Sequence, residues 1–209
     1  SRFHLDTRAW GTIEARLPLA GVHQARNAAL AIRAIELTPL RRRVDADAVR
    51  RGIEAVRWPG RMQVERIDGR TWILDVAHNP SAVARLAQAI RDMDIERPLT
   101  ALVGVMGDKD WGAMLRDLAG VADRFVLTRP RHAPADRAWD PAIAARELPA
   151  DRVEVVPDPE HAVERLRAQA TGTVLVTGSF HTVGEAMTAL GLDAGCPADP
   201  VIDPALLRA

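Results

Sequence analysis

Tyrosine is absent from this sequence, and lysine and cysteine occur once each. The sequence also lacks net charge and long apolar runs. Cys196 is the single cysteine, so a disulfide framework within the chain is excluded and a reducing, cytoplasmic location is expected. The 28 basic and 28 acidic residues cancel, which argues against binding to nucleic acid or an anionic membrane surface through overall charge. No apolar run is long enough to cross a bilayer. The 209 residues are 47% apolar, which suffices for a substantial core.

Several common catalytic motifs are missing as well. There is no Gly-x-Gly-x-x-Gly after a strand and no Gly-x-x-x-x-Gly-Lys-Ser/Thr, so the sequence has neither a dinucleotide fingerprint nor a phosphate-binding loop. The sequence contains no Gly-x-Ser-x-Gly motif of the kind that carries a hydrolase nucleophile, and its cysteine and histidine residues do not have the spacing of a zinc site. Lys109 is the only lysine among 28 basic residues, which makes it a candidate for a specific role.

From residue 59 onward, short apolar runs alternate with helical patterns. The runs predict six strands, the first two joined by an Asp-Gly hairpin turn. Helices are predicted to begin at Asn79-Pro80, Trp111, Asp140-Pro141, Asp158-Pro159 and Ser179. The alternation predicts an α/β fold, which is a Rossmann-like, mostly parallel sheet with one antiparallel edge strand and helices on both faces. The predicted strands are MQVERI, TWILDV, LTALVGV, RFVLT, RVEVV and TVLVTG.

The first 58 residues have a different pattern. Two small strands are expected in FHLD and GTIEARLPL, and two helices in HQARNAALAIRAIEL and DADAVRRGIEAV. Two strands and two helices make a poor independent domain, so we interpret residues 1–58 as the end of a larger domain. Residues 59–209 form the second predicted domain, in which the tail after Leu190 is expected to be a loosely ordered cover.

Three polar motifs follow predicted strands: DVAHNP, GVMGDKD and VTGSFH. In sheets of this class, ligands bind beyond the carboxyl ends of the strands, so we expect the three motifs to face one crevice. There, Asp75 suits ribose hydroxyls and His78 suits an anionic or amine ligand. Ser179 stands where the amides of a helix amino terminus converge, which is a ready anion site.

Each of these residues also has a purely structural interpretation. Asp75 could cap a neighbouring turn, and His78 could be a hydrogen-bonded structural histidine. Ser179 could be an ordinary N-cap, while residues 108–110 could form a solvated loop with internal ion pairs of little energetic value. Arg61, which follows Pro59-Gly60, could be a surface arginine or could bind a phosphate with both guanidinium nitrogens. Residue chemistry alone leaves these alternatives open.

A wider set of motifs carries a resemblance to a known family. GVHQARNAALAI, WPGRMQ, LDVAHNP, GVMGDKD and GSFHTVGEAM occur in this order. The set resembles the carboxyl-terminal half of the bifunctional folylpolyglutamate synthase/dihydrofolate synthase, a member of the Mur ligase group, over about residues 15–190. The resemblance implies that residues 1–58 end a P-loop ATPase domain and that residues 59–209 form a Mur-ligase-type carboxyl-terminal domain. It implies ATP-dependent ligation of L-glutamate to dihydropteroate or (tetrahydro)folate polyglutamates through an acyl phosphate.

The same resemblance implies roles for individual residues. Asn27 is expected near the adenine, Arg61 at the phosphates and Asp75 at the ribose of ATP. His78 and Ser179 are expected near the incoming glutamate, and Lys109 is grouped with them as a catalytic candidate. No metal ligand is expected in these residues, because the family's Mg²⁺ ligands belong to the amino-terminal half. The chain alone is therefore expected to be inactive, and the full-length form is expected to be a monomer.

Two rival interpretations remain open. A Mur-type peptidoglycan ligase would share the Asp-x-Ala-His-Asn-Pro motif, although the GSFHTV ending argues against it. A non-catalytic module that binds nucleotide or amino acid would explain the missing phosphate loop. The incomplete set of elements in residues 1–58 argues against such a module, because an independent module would not carry half a domain.

Overall fold

The computed structural model describes residues 2–19 and 21–192. They divide into two compact units, residues 2–59 and residues 60–192. The predicted loose cover after Leu190 lies, from residue 193 onward, outside the described residues. Within the described ranges, no helix combines the length and apolar character needed to cross a bilayer.

The first unit is a hairpin with two helices. Strands β1 (Arg2–Thr7) and β2 (Gly11–Arg16) pair antiparallel, and helices α1 (Val22–Glu36) and α2 (Ala46–Ala55) follow. The expected second strand, GTIEARLPL, is shorter than predicted, because Pro18 has no N–H with which to continue a ladder. The core of this unit contains Phe3, Ile13, Leu17, Ala28, Ile32 and Val49.

The second unit contains a six-stranded sheet. Its strands are β3 (Gln63–Ile67), β4 (Arg70–Leu74), β5 (Leu99–Val103), β6 (Arg124–Leu127), β7 (Val153–Val155) and β8 (Thr173–Thr177). Its helices are α3 (Pro80–Arg91), α4 (Trp111–Ala119), α5 (Pro141–Ala144), α6 (Pro159–Gln169) and α7 (Phe180–Ala189). The strand order is β3-β4-β8-β5-β6-β7, and only the β3–β4 pair is antiparallel. The predicted α/β fold with one antiparallel edge strand is confirmed.

Apolar side chains cover both faces of this sheet. On one face, Trp72, Leu102 and Val176 form a buried cluster with residues of α6 and α7. Because successive strand residues point to opposite faces, Ile73 and Leu175 lie on the other face, where they are also buried. The buried apolar stripes of α3 and α4, which contact each other, account for that side. Strands buried on both faces explain the continuous apolar runs of the sequence.

The predicted helix starts are confirmed by their hydrogen bonds. The side chain of Asn79 accepts a hydrogen bond from the N–H of Ala82, and Pro80 occupies the first turn of α3. Asp140 and Asp158 cap α5 and α6 in the same way, each followed by a proline. A proline at this position has a preset φ and lacks an N–H that would otherwise be unpaired, so it favours initiation.

Candidate functional site

The topology brings three polar segments to one edge of the sheet. Asp75 directly follows β4, Ser179 lies two residues beyond β8, and Lys109 lies six residues beyond β5. Because β8 is hydrogen-bonded to both β4 and β5, these segments leave three neighbouring parallel strands at their carboxyl ends. Gly178 has φ 111°, and a Cβ there would lie 2.6 Å from the carbonyl oxygen of Gly104. A glycine is therefore needed where the ends of β5 and β8 approach each other.

The sequence interpretation expected Asp75 to face outward, but the structure buries this side chain. The residue is only 6% exposed. One carboxylate oxygen accepts a hydrogen bond of 2.9 Å from the N–H of Met62, and the other accepts one of 2.9 Å from the N–H of Ala77. A buried carboxylate needs such donors, because unpaired burial of a charge is costly. Asp75 therefore holds two backbone segments, at Met62 and at Ala77. This role is close to the structural alternative, in which Asp75 caps a turn.

The turn that Asp75 holds carries Arg61. Gly60 and Met62 both have positive φ, 68° and 46°, and such a conformation is uncommon for methionine. The Met62 N–H donates to Asp75, while the Gly60 carbonyl accepts a hydrogen bond of 2.9 Å from the N–H of Val76. These bonds fix a strained turn to the end of β4. The position of Arg61 beside β4 thus depends on Asp75.

His78 has a defined ring orientation. Its Nδ1 lies 2.9 Å from the carbonyl oxygen of Val76, and the residue is half-buried. Its ring centroid is 5.3 Å from that of Phe180, with the planes inclined at 44°. The imidazole is therefore positioned by its own backbone and by the first residue of α7.

Phe180 is a residue to which the sequence interpretation gave no role. It is 55% exposed, although it contacts His78 and lies under the guanidinium of Arg61, whose Cζ is 5.6 Å from the ring centroid. That distance is within the range of a cation–π interaction. The GSFH motif contains this residue, and its position directly after the predicted helix cap is the sequence signal that could have drawn attention to it.

Ser179 is the N-cap of α7. Its hydroxyl oxygen accepts a hydrogen bond of 3.0 Å from the N–H of Thr182 and lies 2.8 Å from the Thr182 hydroxyl. The Thr182 hydroxyl in turn donates to the carbonyl of Gly104, so the proton between the two hydroxyls comes from Ser179. With 2% of its surface exposed, Ser179 has the capping role that the sequence interpretation left open.

Lys109 lies in a loop with internal ion pairs. Its ammonium is 3.1 Å from a carboxylate oxygen of Asp108, and the guanidinium of Arg137 donates to both oxygens of the same carboxylate at 3.1 and 3.0 Å. Partial desolvation tends to raise the pKa of Asp108, but hydrogen bonds from Lys109 and Arg137 outweigh it and lower this pKa. Asp108 thus joins the loop after β5 to residue 137.

Asn27 belongs to the first unit. It is exposed on α1, and its side-chain amide donates a hydrogen bond of 3.3 Å to the buried side chain of Gln24. Its expected place near adenine stays a prediction, as do the expected ligand contacts of the other candidates.

The described residues offer ligand-binding groups but no metal centre. Within residues 2–19 and 21–192, no group of three or more histidine, cysteine, aspartate or glutamate residues is placed to hold a metal ion. The carboxyl edge of the second unit instead presents a guanidinium, an imidazole, an ammonium and an exposed aromatic ring. Such groups can bind anions and stack on flat ligands.

Comparisons with known proteins identify the family of this chain. The family model described as "Mur ligase, glutamate ligase domain" matches residues 60–180. The dihydrofolate synthase/folylpolyglutamate synthase of Mycobacterium tuberculosis is 35% identical over 200 residues, covering 85% of this chain and 40% of that protein.

Two solved structures share the fold. The Escherichia coli FolC structure in complex with DHPP and ADP has a TM-score of 0.72 and 30% identity, covering 87% of this chain and 42% of that one. The bifunctional folylpolyglutamate synthase/dihydrofolate synthase of Yersinia pestis, complexed with AMPPNP and Mn ion, has a TM-score of 0.67 and 32% identity, covering 85% and 41%. The chain thus spans about two fifths of the length of these relatives.

Proposed function

Because this chain belongs to the Mur ligase family through its glutamate ligase domain, we propose that it acts in an ATP-dependent ligase that joins L-glutamate to dihydropteroate or to folates. The observation that carries the proposal is the family match over residues 60–180. That range contains five of the six candidate residues, namely Arg61, Asp75, His78, Lys109 and Ser179. Similar proteins include folylpolyglutamate and dihydrofolate synthases.

The chemistry requires two steps. A carboxylate is a poor acylating agent, so ATP first converts the carboxyl group of the pteroate or folate into an acyl phosphate. The amine of glutamate then attacks the carbonyl carbon, an amide forms and phosphate leaves. Phosphoryl transfer depends on cations held around the phosphates, and the second step depends on aiming the amine.

We assign the nucleotide side of this reaction to Arg61 and Asp75, with Asn27 near the adenine. Arg61 supplies a guanidinium suited to phosphates. Asp75 holds the turn that carries Arg61 through its two backbone hydrogen bonds, and we propose that this carboxylate also lies at the ribose.

We assign the glutamate side to His78, Ser179 and Lys109. The imidazole and the ammonium are groups that can bind a carboxylate, and Ser179 orients the first turn of α7 through its cap. The divalent metal is Mg²⁺ in this proposal, and it neutralises charge on the phosphates when bound. The described residues contain no metal cluster, and we assign the Mg²⁺ ligands and the phosphate loop to the amino-terminal half that the family resemblance implies.

The test compares the 209-residue chain with the protein expressed from its complete reading frame. Each is incubated with ATP, Mg²⁺, L-glutamate and either dihydropteroate or tetrahydrofolate, and phosphate release and product mass are measured. We expect glutamate-dependent phosphate release and a product heavier by one glutamyl residue from the complete protein, and neither from the chain alone.

Two results would contradict the proposal. Binding of ATP and glutamate without turnover by the complete protein would indicate a non-catalytic binding module. Turnover by the 209-residue chain alone, abolished by Asp75→Ala, would show that a separate phosphate loop is not needed.

A further inference from the structure

The hydrogen bond of His78 determines which of its ring nitrogens carries the proton. A backbone carbonyl has only lone pairs, so the contact of 2.9 Å between Nδ1 and the Val76 carbonyl oxygen requires a hydrogen on Nδ1. A neutral imidazole has one N–H only. Its Nε2 therefore carries a lone pair. The hydrogen bond from Nδ1 to the Val76 carbonyl oxygen fixes this tautomer.

Nothing else in the described part of the chain engages Nε2. The interactions of His78 there are the Nδ1 hydrogen bond and the ring contact with Phe180. Phe180 packs against the ring and restrains its rotation without offering a hydrogen-bond donor or acceptor. The result is a half-buried imidazole with a fixed tautomer and an unused basic nitrogen at the carboxyl edge of the sheet.

The other candidate groups at this edge already have partners. Both oxygens of Asp75 accept backbone hydrogen bonds. Ser179 donates its hydroxyl proton to Thr182, and the Lys109 ammonium is paired with Asp108. Among the candidate residues of the second unit, His78 is thus the one that combines a free lone pair with a fixed orientation.

We propose that Nε2 of His78 is the general base that takes a proton from the α-ammonium of glutamate. This inference rests on the proposed function. Glutamate binds as an ammonium, which has no lone pair and cannot attack a carbonyl carbon. Transfer of one N–H proton to Nε2 gives the free amine and an imidazolium.

The bonds and protons balance in the step that follows. The nitrogen lone pair attacks the acyl phosphate carbon, forming the C–N bond, and the C–O bond to phosphate breaks with its electron pair on oxygen. A second proton leaves the nitrogen and is taken by the departing phosphate, so that the amide keeps one N–H. The imidazolium gives its proton to solvent after product release.

The experiment uses the protein from the complete reading frame with two alternative nucleophiles. Hydroxylamine is largely uncharged near neutral pH and attacks acyl phosphates without prior deprotonation, giving a hydroxamate. We compare His78→Gln and His78→Asn with wild type. His161→Gln is the matched control, because His161 is 73% exposed on α6.

We expect both His78 variants to lose about 100-fold or more in turnover at saturating glutamate, in line with the contribution of general bases. Hydroxamate formation should stay at the wild-type rate, which also shows that these variants fold and activate the carboxyl group. The His161→Gln control should keep both reactions. In the wild-type chain, ¹⁵N NMR should show a protonated Nδ1 and an unprotonated Nε2 for neutral His78.

Other results would overturn the assignment. Full turnover with only a raised KM for glutamate would make His78 a binding group, and equal loss of both reactions would place it in carboxyl activation. If the wild-type protein forms neither glutamyl product nor hydroxamate, the proposed function itself fails and this inference falls with it.

Discussion

The hydroxyl of Thr182 donates a hydrogen bond of 2.8 Å to the carbonyl oxygen of Gly104. This bond ties the first turn of α7 to the backbone just after β5, at the edge where the candidate residues lie. A Cβ on residue 104 would lie 2.4 Å from the same hydroxyl oxygen, so only glycine allows the contact. The relationship joins two sequence motifs, GVMGDKD and GSFHTV, that are far apart in the chain.

We expect Gly104→Ala to lower the free energy of unfolding by about 1–3 kcal/mol, the usual cost of overpacking a filled site. Thermal and denaturant unfolding of the 209-residue chain measure this. Thr182→Ala removes the hydroxyl with which the new Cβ would clash. The double variant Gly104→Ala/Thr182→Ala should therefore lose less stability than the sum of the losses in the two single variants. Strict additivity would show that the clash with Thr182 is not the cause.

Asp75→Ala should affect both stability and ATP use. The substitution removes a charged acceptor from two backbone N–H groups, and each hydrogen bond to a charged group contributes about 1.5–3 kcal/mol. It also releases the turn that carries Arg61. In the complete protein, the KM for ATP should therefore rise more than the KM for glutamate. Steady-state kinetics and circular dichroism check this.

Asp123→Ala is the matched control for Asp75. Its carboxylate also accepts a backbone hydrogen bond, from the N–H of Leu99 at the start of β5, but at the opposite end of the strands. We expect lower stability with an unchanged KM for ATP. An unchanged ATP dependence in Asp75→Ala, with the fold intact, would leave Asp75 with a structural role only.

Ser179→Ala should chiefly weaken the use of glutamate. The loss of a helix cap costs about 1 kcal/mol of stability. Because the cap orients the first-turn N–H groups of α7, loss of one hydrogen bond from these groups to a charged ligand would raise the KM for glutamate about ten-fold or more. Asp45→Ala removes the cap of α2 and should cost similar stability without changing this KM. Equal kinetic behaviour of the two variants would show that Ser179 is a cap and nothing more.

Phe180→Leu should weaken the use of both substrates, because Phe180 contacts both Arg61 and His78. Loss of interactions worth about 0.5–1.5 kcal/mol predicts KM increases of about two- to ten-fold for ATP and for glutamate. Phe180→Trp keeps an aromatic face and should restore both values. Ile143→Ala, which changes another exposed apolar side chain, should alter neither. An effect on stability alone would contradict a positioning role.

Glu36 should make the first unit sensitive to acid. This carboxylate is 5% exposed and accepts hydrogen bonds from Arg33 and from the N–H groups of Arg8 and Ala9. The Arg33 hydrogen bond is the main cause that lowers the pKa of Glu36; desolvation opposes it. A lowered pKa contributes stability above the unfolded-state pKa, and this stability is lost as pH falls through the folded-state value.

The measurement is thermal unfolding between neutral and acid pH. Wild type should lose stability on acidification more steeply than Glu36→Gln, which should be less stable at neutral pH. Glu54→Gln is the control, because Glu54 is in an exposed pair with Arg50. Parallel acid profiles for wild type and Glu36→Gln would contradict the assignment.

Local signals in the sequence were sufficient for the elements. Asn79-Pro80 and Asp158-Pro159 predicted helix starts, because a side-chain cap and a preset proline φ act within one turn. The apolar runs predicted the strands, because a parallel strand is buried on both faces. What local patterns could not give was the place of β8 between β4 and β5, since strand order depends on contacts between distant residues.

The candidate site was predicted at the level of motifs but not of contacts. Asp75 and Ser179 were expected to face a ligand, yet each binds backbone or side-chain groups of its own unit. Whether a carboxylate turns toward solvent or toward an N–H depends on the turn at Gly60 and Met62, whose positive φ is not apparent from sequence. The same holds for Phe180, whose partners Arg61 and His78 come from elsewhere in the chain.

The position of β8 also has a consequence for synthesis on the ribosome. β8 pairs with both β4 and β5, yet it is the last of the six strands to be made. Until Thr177 has emerged, the nascent chain holds two separate half-sheets, each with an open edge that invites pairing with other chains. Closing the sheet then requires pairing over about 100 residues, which is slow. The newly made strand completes the hydrophobic core and brings the three polar segments to one edge in one event, so a stalled or shortened chain would be prone to aggregate.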